Sequence, residues 1–270
     1  MDAAEFCFNF KFNLHKSCLP FGLADDDLSR LSVAYGVPLE MLRAEAEKAD
    51  ASNREDAKTL ISEYPEAKAA LCGKSIAFLG DSITSDRTSY MNILLTAFRD
   101  EPRIRILDAS VSAWKTIDLV TNFVPEVTDF KPDIVHIMIG TNDLKRTTDK
   151  TQTILVPPEE YCRQLDYLLK YLTGCGARIV LSTLPPFDPV KTHAAFYEVN
   201  AQYIADDRDE FNRILRGEAT ANNCFLNDME PVYAQCPTDG ITEADGLHLN
   251  RVGQNLLVRG VLEKLIEASR

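Results

Sequence analysis

Ile134-Val135-His136-Ile137-Met138-Ile139 is a run of six residues with a single polar member, and Gly140-Thr141-Asn142-Asp143 follows it at once. A run this short and this continuous in apolar character predicts a strand buried on both faces, not one that shows alternate side chains to water. Working outward, Ser75 to Leu79, Arg103 to Leu107, Arg178 to Ser182 and Cys224 to Asn227 read as further strands. Amphipathic stretches near Ser89 to Arg99, Pro158 to Thr173, Phe196 to Ala221 and Arg251 to Ala268 fall between and after them. Strands alternating with helices predict a doubly wound α/β domain, with a central parallel sheet of about five strands covered by helices on both faces. It begins near Lys74, after a shift in composition at Gly73, and spans residues 74–270.

Residues 1–73 form an N-terminal extension of different character. Phe6, Phe8, Phe10, Phe12 and Leu14 alternate with Cys7, Asn9, Lys11 and Asn13, a period that predicts a Phe-rich strand with one large apolar face. That face must be covered, by this chain as a cap or by a second copy in a homodimer. Asp25 to Tyr35 and Pro38 to Asp50 read as helices separated by Gly36-Val37, and Asn53 to Cys72 as a third. A helix-turn-helix is superficially similar. The extension nevertheless holds 8 Lys and Arg against 13 Asp and Glu, a balance of −5, so the basic footprint of a nucleic-acid reader is absent.

The whole chain carries a formal net charge of −12 with a pI near 4.9, which also argues against a phosphate-backbone partner and favours neutral or cationic small substrates. Its 270 residues, 45% of them hydrophobic, suffice for one large domain and an appendage. No stretch reaches the roughly 18 apolar residues that a membrane span requires. Asp2 and Glu5 precede any cation, and the first residues lack a continuous hydrophobic block, so no secretory signal is expected and a cytoplasmic location follows. Seven cysteines, Cys7, Cys18, Cys72, Cys162, Cys175, Cys224 and Cys236, are odd in number and form no C-x-x-C pair, which predicts reduced, mostly buried thiols and no zinc site.

Three segments carry chemistry. In Ile76-Ala77-Phe78-Leu79-Gly80-Asp81-Ser82-Ile83-Thr84 a serine lies just past the carboxyl end of the first main strand, where open α/β sheets bind ligands and where a helix N-terminus favours an anion. Taken alone it reads equally as a helix cap. Gly140-Thr141-Asn142-Asp143 falls at the same edge; an asparagine amide there can donate to a developing oxyanion, and Gly140 lets the backbone approach closely. A plain Asn/Asp turn is the simpler alternative. Asp245-Gly246-Leu247-His248 precedes the last helix and pairs a carboxylate with an imidazole in the arrangement that base catalysis on a serine requires. His15, His136 and His193 lack such a companion in sequence, and His136 reads as a satisfied core histidine.

Together these segments resemble the SGNH hydrolases, also called the GDSL-type lipase/acylhydrolase family, over about Lys74 to Arg270. Gly80-Asp81-Ser82 matches the nucleophile block, Gly140-x-Asn142-Asp143 the asparagine block and Asp245-x-x-His248 the acid and base. Leu184-Pro185-Pro186 and Phe211-Asn212 agree as secondary cues. The resemblance implies a flavodoxin-like three-layer α/β/α sandwich, no metal or other cofactor, and ester hydrolysis through an acyl-enzyme. One block departs from the pattern. Ala113, in Asp108-Ala109-Ser110-Val111-Ser112-Ala113-Trp114-Lys115-Thr116, stands where the family has a glycine whose N–H completes the oxyanion hole. Alanine keeps that N–H, but a positive φ there would strain it.

The expectation is a serine esterase with Ser82 as nucleophile, His248 as base and Asp245 orienting the imidazole. The oxyanion is expected to be held by the N–H groups of Ser82 and Ala113 and the side chain of Asn142. Asp81, Gly140 and Trp114 are placed at the substrate, Trp114 as an acyl or sugar platform or as ordinary packing under a loop. Ser82 lacks the second glycine of G-x-S-x-G, which disfavours the α/β-hydrolase elbow. A small-molecule ester with a short acyl group, an O-acetyl on a carbohydrate among them, fits best. The alternatives are a lysophospholipase or thioesterase acting on longer chains, and a non-catalytic binding or assembly module.

Overall fold

The computed structural model describes residues 2–19, 22–122 and 124–270. Five strands, β1 (Ser75–Gly80), β2 (Arg105–Asp108), β3 (Ile134–Met138), β4 (Arg178–Ser182) and β5 (Phe225–Asn227), form one sheet in the order β2-β1-β3-β4-β5. Every pairing is parallel. All of β3 is buried, as its unbroken apolar run requires, while β2 at an edge is exposed or half-buried along its length.

Period-2 alternation divides the core into two. Ile76, Phe78, Ile134, Met138 and Val180 pack with the helices Tyr90–Ala97 and Arg251–Ser269 on one face. Ala77, Leu79, Val135, Ile137 and Leu181 pack with Pro158–Gly174 and Ala205–Ala221 on the other. The result is the three-layer sandwich anticipated from sequence. The stretch Phe196 to Ala221 is not one helix: Pro189–Phe196 runs into a short turn of 3-10 helix, Asn200 takes a left-handed φ of 55°, and the helix restarts at Ala205. Helices Thr116–Asn122 and Val124–Phe130, which are not among the elements expected from sequence, lead into β3.

Two expectations for the extension are corrected. Residues 3–11 are a helix, Ala3–Lys11, and not a strand. Aromatics at every second position also satisfy the i, i+4 spacing, and here that pairing wins: Phe6 stacks on Phe10 at 5.7 Å and Phe8 meets Phe12 edge-on at 4.8 Å. Asp2 supplies the cap by accepting from the Glu5 N–H (2.7 Å), and Lys11 closes the last turn. Secondly, Leu39–Glu63 is one continuous helix, so no new helix begins at Asn53. Asn53 is buried within it and donates to the Arg87 carbonyl (2.8 Å) instead of capping. The break at Gly36 stands, with φ 66° after the helix Leu28–Tyr35.

This chain covers much of the Phe-rich surface, burying Phe6, Phe10 and Phe12 and leaving Phe8 exposed. Phe6 and Phe10 join Leu23, Leu31 and Leu42 in a small core of the extension, and the Arg87 guanidinium lies 3.7 Å above the Phe10 ring. Ala57, Leu60, Ala67 and Leu71 enter the larger core beneath β1. Ion pairs from Arg251 to Glu55 and Asp56 and from Arg259 to Glu63 lie along the same contact. All seven cysteines are free, but none is fully buried; Cys18 and Cys175 are exposed and the others half-buried. Among the described residues, no helix is long and apolar enough to cross a membrane.

Candidate active site

The strand order reverses between β1 and β3, and in open parallel sheets ligands settle at the carboxyl edge of such a switch point. Gly80 ends β1 with no room to spare: a β-carbon there would meet Thr84 Oγ1 at 2.2 Å and the Met138 carbonyl at 2.8 Å. Asp81 then caps the short helix Ser82–Ser85, accepting from the Ile83 N–H (3.0 Å). This turn presents the Ser82 hydroxyl to His248, with Oγ to Nε2 at 2.8 Å. His248 Nδ1 is 2.6 Å from Asp245 Oδ2. An ionised carboxylate only accepts, so Nδ1 carries the proton and Nε2 is free to accept from the serine.

The Asp245 loop is built to hold that carboxylate. Its Oδ1 accepts from the N–H groups of Leu247 (2.9 Å) and His248 (3.0 Å). Gly246 takes φ 73° close to Lys191 and Asp188, where a β-carbon would lie 2.5 Å from Lys191 Cβ. Burial alone would raise the pKa of Asp245, but the hydrogen bond and charge of His248 hold it below the ordinary carboxylate value. Two other acids differ. Burial pushes Asp81 up to about 6 and Asp143 up to about 7.

The asparagine block turns tightly because Gly140 adopts φ 133° against Tyr161, whose hydroxyl would be 2.9 Å from an added β-carbon. Asn142 and Asp143 both grip the loop after β2. Asn142 Nδ2 donates to the Trp114 carbonyl (3.0 Å), leaving its second hydrogen for another acceptor. Both oxygens of Asp143 lie 3.1 Å from the Thr116 N–H. Just ahead of these anchors Ala113 has φ 66°, the left-handed conformation that the missing glycine would have adopted freely. Among the described residues, no group accepts from the N–H of Ala113 or of Ser82. Trp114 is half-buried against the core beside β3, so packing accounts for at least part of its surface.

Of the sequence-derived candidates, Ser82, His248 and Asp245 meet in series, and Asn142 and Ala113 share one loop junction through Trp114. His136 is enclosed as expected, bonded to Tyr90 Oη (3.1 Å) and Ser182 Oγ (2.8 Å). His15 does have a carboxylate neighbour, Asp25 at 2.9 Å, supplied from a distant turn that spacing could not show. The sequence reading missed the contribution of the extension. The Phe12 ring stacks on the His248 imidazole with centroids 3.9 Å apart, and the Lys11 ammonium pairs with Glu243 in the base loop. The only sequence signal was the aromatic run itself, whose period admitted two folds.

Sheet order, the gathering of three distant segments at one edge, and the chemistry open to them converge on one class, the carboxylic ester hydrolases. Comparison narrows this further: residues 78–256 match the GDSL-like lipase/acylhydrolase family, and the chain belongs to it. An acetylxylan esterase from Geobacillus stearothermophilus is 25% identical over 215 residues, covering 72% of this chain and 94% of that protein. Among solved structures, a lipase/acylhydrolase from Enterococcus faecalis superposes with a TM-score of 0.59 at 21% identity, covering 72% of this chain and 96% of the other. A crystal structure of an acetylxylan esterase from G. stearothermophilus gives 0.56 at 22% identity, with 72% and 94% covered. At those identities the superpositions speak for the fold alone.

Proposed function

We propose that the protein is a serine esterase that removes a short acyl group, an O-acetyl on a carbohydrate being the favoured case, through an acyl-enzyme on Ser82. The observation that carries this reading is the relay of 2.8 Å from Ser82 Oγ to His248 Nε2 and 2.6 Å from His248 Nδ1 to Asp245. As Ser82 attacks the ester carbonyl, His248 takes its proton, and Asp245 holds the imidazole and stabilises the cation that forms. The carbonyl oxygen, now an anion, is met by the N–H groups of Ser82 and Ala113 and the free hydrogen of Asn142 Nδ2. His248 returns the proton to the leaving alcohol, then deprotonates a water that releases the acid.

Support for a short acyl group comes from the closeness of the site. Ser82 and His248 are only 8% and 6% exposed, and Phe12 covers one face of the imidazole. Support for a carbohydrate alcohol comes from the acetylxylan esterase relative. Ser82→Ala is expected to lower kcat/KM for p-nitrophenyl acetate by at least about 10⁴-fold, and unchanged turnover sinks the assignment. Release of acetate from acetylated xylooligosaccharides, set against p-nitrophenyl esters of increasing chain length, tests the substrate; a rate that climbs with acyl length favours a long-chain acylhydrolase instead.

A further inference from the structure

The helix Ala3–Lys11 has two working faces. Successive alternate residues lie about 200° apart on a helix, so Phe6 and Phe10 fill the core of the extension while Phe8 and Phe12 turn to the relay. Phe12, just past the last turn, is 3% exposed and lies nearly parallel to the His248 ring, at 25°. Phe8 meets the same imidazole edge-on at 6.1 Å. The chain around Phe12 is tied to the turn that follows Ser82, to the Ala113 loop and, through the Lys11 side chain, to the base loop. Its carbonyl accepts from Ser112 Oγ, beside Ala113, and Ser112 is in turn bonded to Ser85 Oγ at 3.0 Å. Asn13 Nδ2 donates to the Ser85 carbonyl, and the Arg87 N–H donates to the Lys11 carbonyl (3.1 Å). Glu243, which pairs with Lys11, donates its N–H to the His248 carbonyl (2.8 Å).

We propose that Phe12 is a positioning residue for hydrolysis: its ring fixes the plane of the His248 imidazole against Ser82 and stabilises the cation formed when that imidazole takes the proton. The inference rests on His248 being the base. A bond to Asp245 through one nitrogen and to Ser82 through the other leaves the imidazole free to rock about the line joining them. A ring on its face removes that freedom, keeps water off, and offers a π surface to a developing positive charge. Lys11, the other cation near this ring at 5.4 Å, is neutralised by Glu243 and by Asp86 3.7 Å away.

The test uses the full chain with Phe12→Leu, Phe12→Ala and Phe12→Tyr, each checked for folding by thermal unfolding. kcat and KM are measured on p-nitrophenyl acetate and butyrate, together with the rate of labelling by a fluorophosphonate. Phe12→Leu keeps water out but removes the π face, and should lower kcat about 3- to 30-fold with KM nearly unchanged. The factor should be the same for both esters and for labelling, and Phe12→Tyr should recover most of it. A lowered melting point with unchanged kcat per folded molecule overturns the proposal, leaving Phe12 a packing residue. A loss that falls on KM, or that changes with acyl length, also overturns it and makes Phe12 a wall of the substrate site. Should Phe12→Ala fail to fold, the Leu and Tyr variants decide alone. If the wild-type chain labels no faster than Ser82→Ala, the reading of His248 as base fails first, and this proposal with it.

Discussion

Ala113 sits at φ 66° and is an exposed residue, so little buried contact is set against the strain of the left-handed conformation. For an L-residue that conformation costs about 1–2 kcal/mol, and glycine would escape it at the expense of about 0.5–1 kcal/mol of extra unfolded-state entropy. Ala113→Gly should therefore stabilise the protein by about 0.5–1 kcal/mol, raising Tm by about 1–3 °C, while the N–H donor and hence kcat are retained. Calorimetry decides the point: a fall in Tm would mean that the methyl group is worth more than the strain. The departure from glycine was legible in sequence. The conformation was not: Ala113 lies in a turn that the Trp114 N–H closes on the Val111 carbonyl (3.2 Å), beside a carbonyl that Asn142 holds from another strand's loop.

Among the elements, β3 read clearly in sequence because its burial on both faces leaves little choice of residue type, and its one polar member shows how the interior accommodates an exception. His136 links Tyr90 to Ser182 across the sheet, and Thr84 Oγ1 (2.9 Å from Tyr90 Oη) and Asn227 Nδ2 (3.0 Å from Ser182 Oγ) extend the chain at either end. Burial pushes the imidazole down to about 3. The unfolded chain, near the ordinary value of about 6.5, then binds a proton that the folded state refuses, so stability is lost as pH falls from 6.5 towards 3. Asp81 and Asp143, raised by burial, act in the opposite sense: they ease folding as pH falls through 7 towards 4. The His136 contribution therefore has to be read as a difference. Wild-type stability relative to His136→Gln should decline by about 1.4 kcal/mol per pH unit below 6.5, and parallel pH profiles from urea denaturation would refute it. The helix Ala3–Lys11 escaped the sequence reading for a different reason: its aromatics serve two partners on opposite sides, and two faces of a helix at alternate positions look like one face of a strand.

At the scale of the whole molecule, the later part of the extension shares a core with the sheet, while Phe6, Phe10 and Leu31 keep a smaller one of their own. Leu60, 1% exposed, and Ala57, Ala67 and Leu71 lie among residues from β1, β3 and the C-terminal helix. Sequence marked a boundary near Gly73 from composition but could not show that side chains close over it, since tertiary packing leaves no local period. Leu60→Ala should cost about 2–5 kcal/mol, and unfolding should stay a single transition, with Trp114 fluorescence and far-UV circular dichroism moving together in urea. A biphasic curve, with the helical signal lost before the tryptophan responds, would show the extension melting on its own. The stacking of Phe12 on His248 also bears on how the enzyme is made. It brings together residues from nearly opposite ends of the sequence, a closure whose entropic cost rises with the length of chain between them. Catalytic competence during refolding should then lag behind the sheet, and the return of turnover would time the last long-range step of assembly.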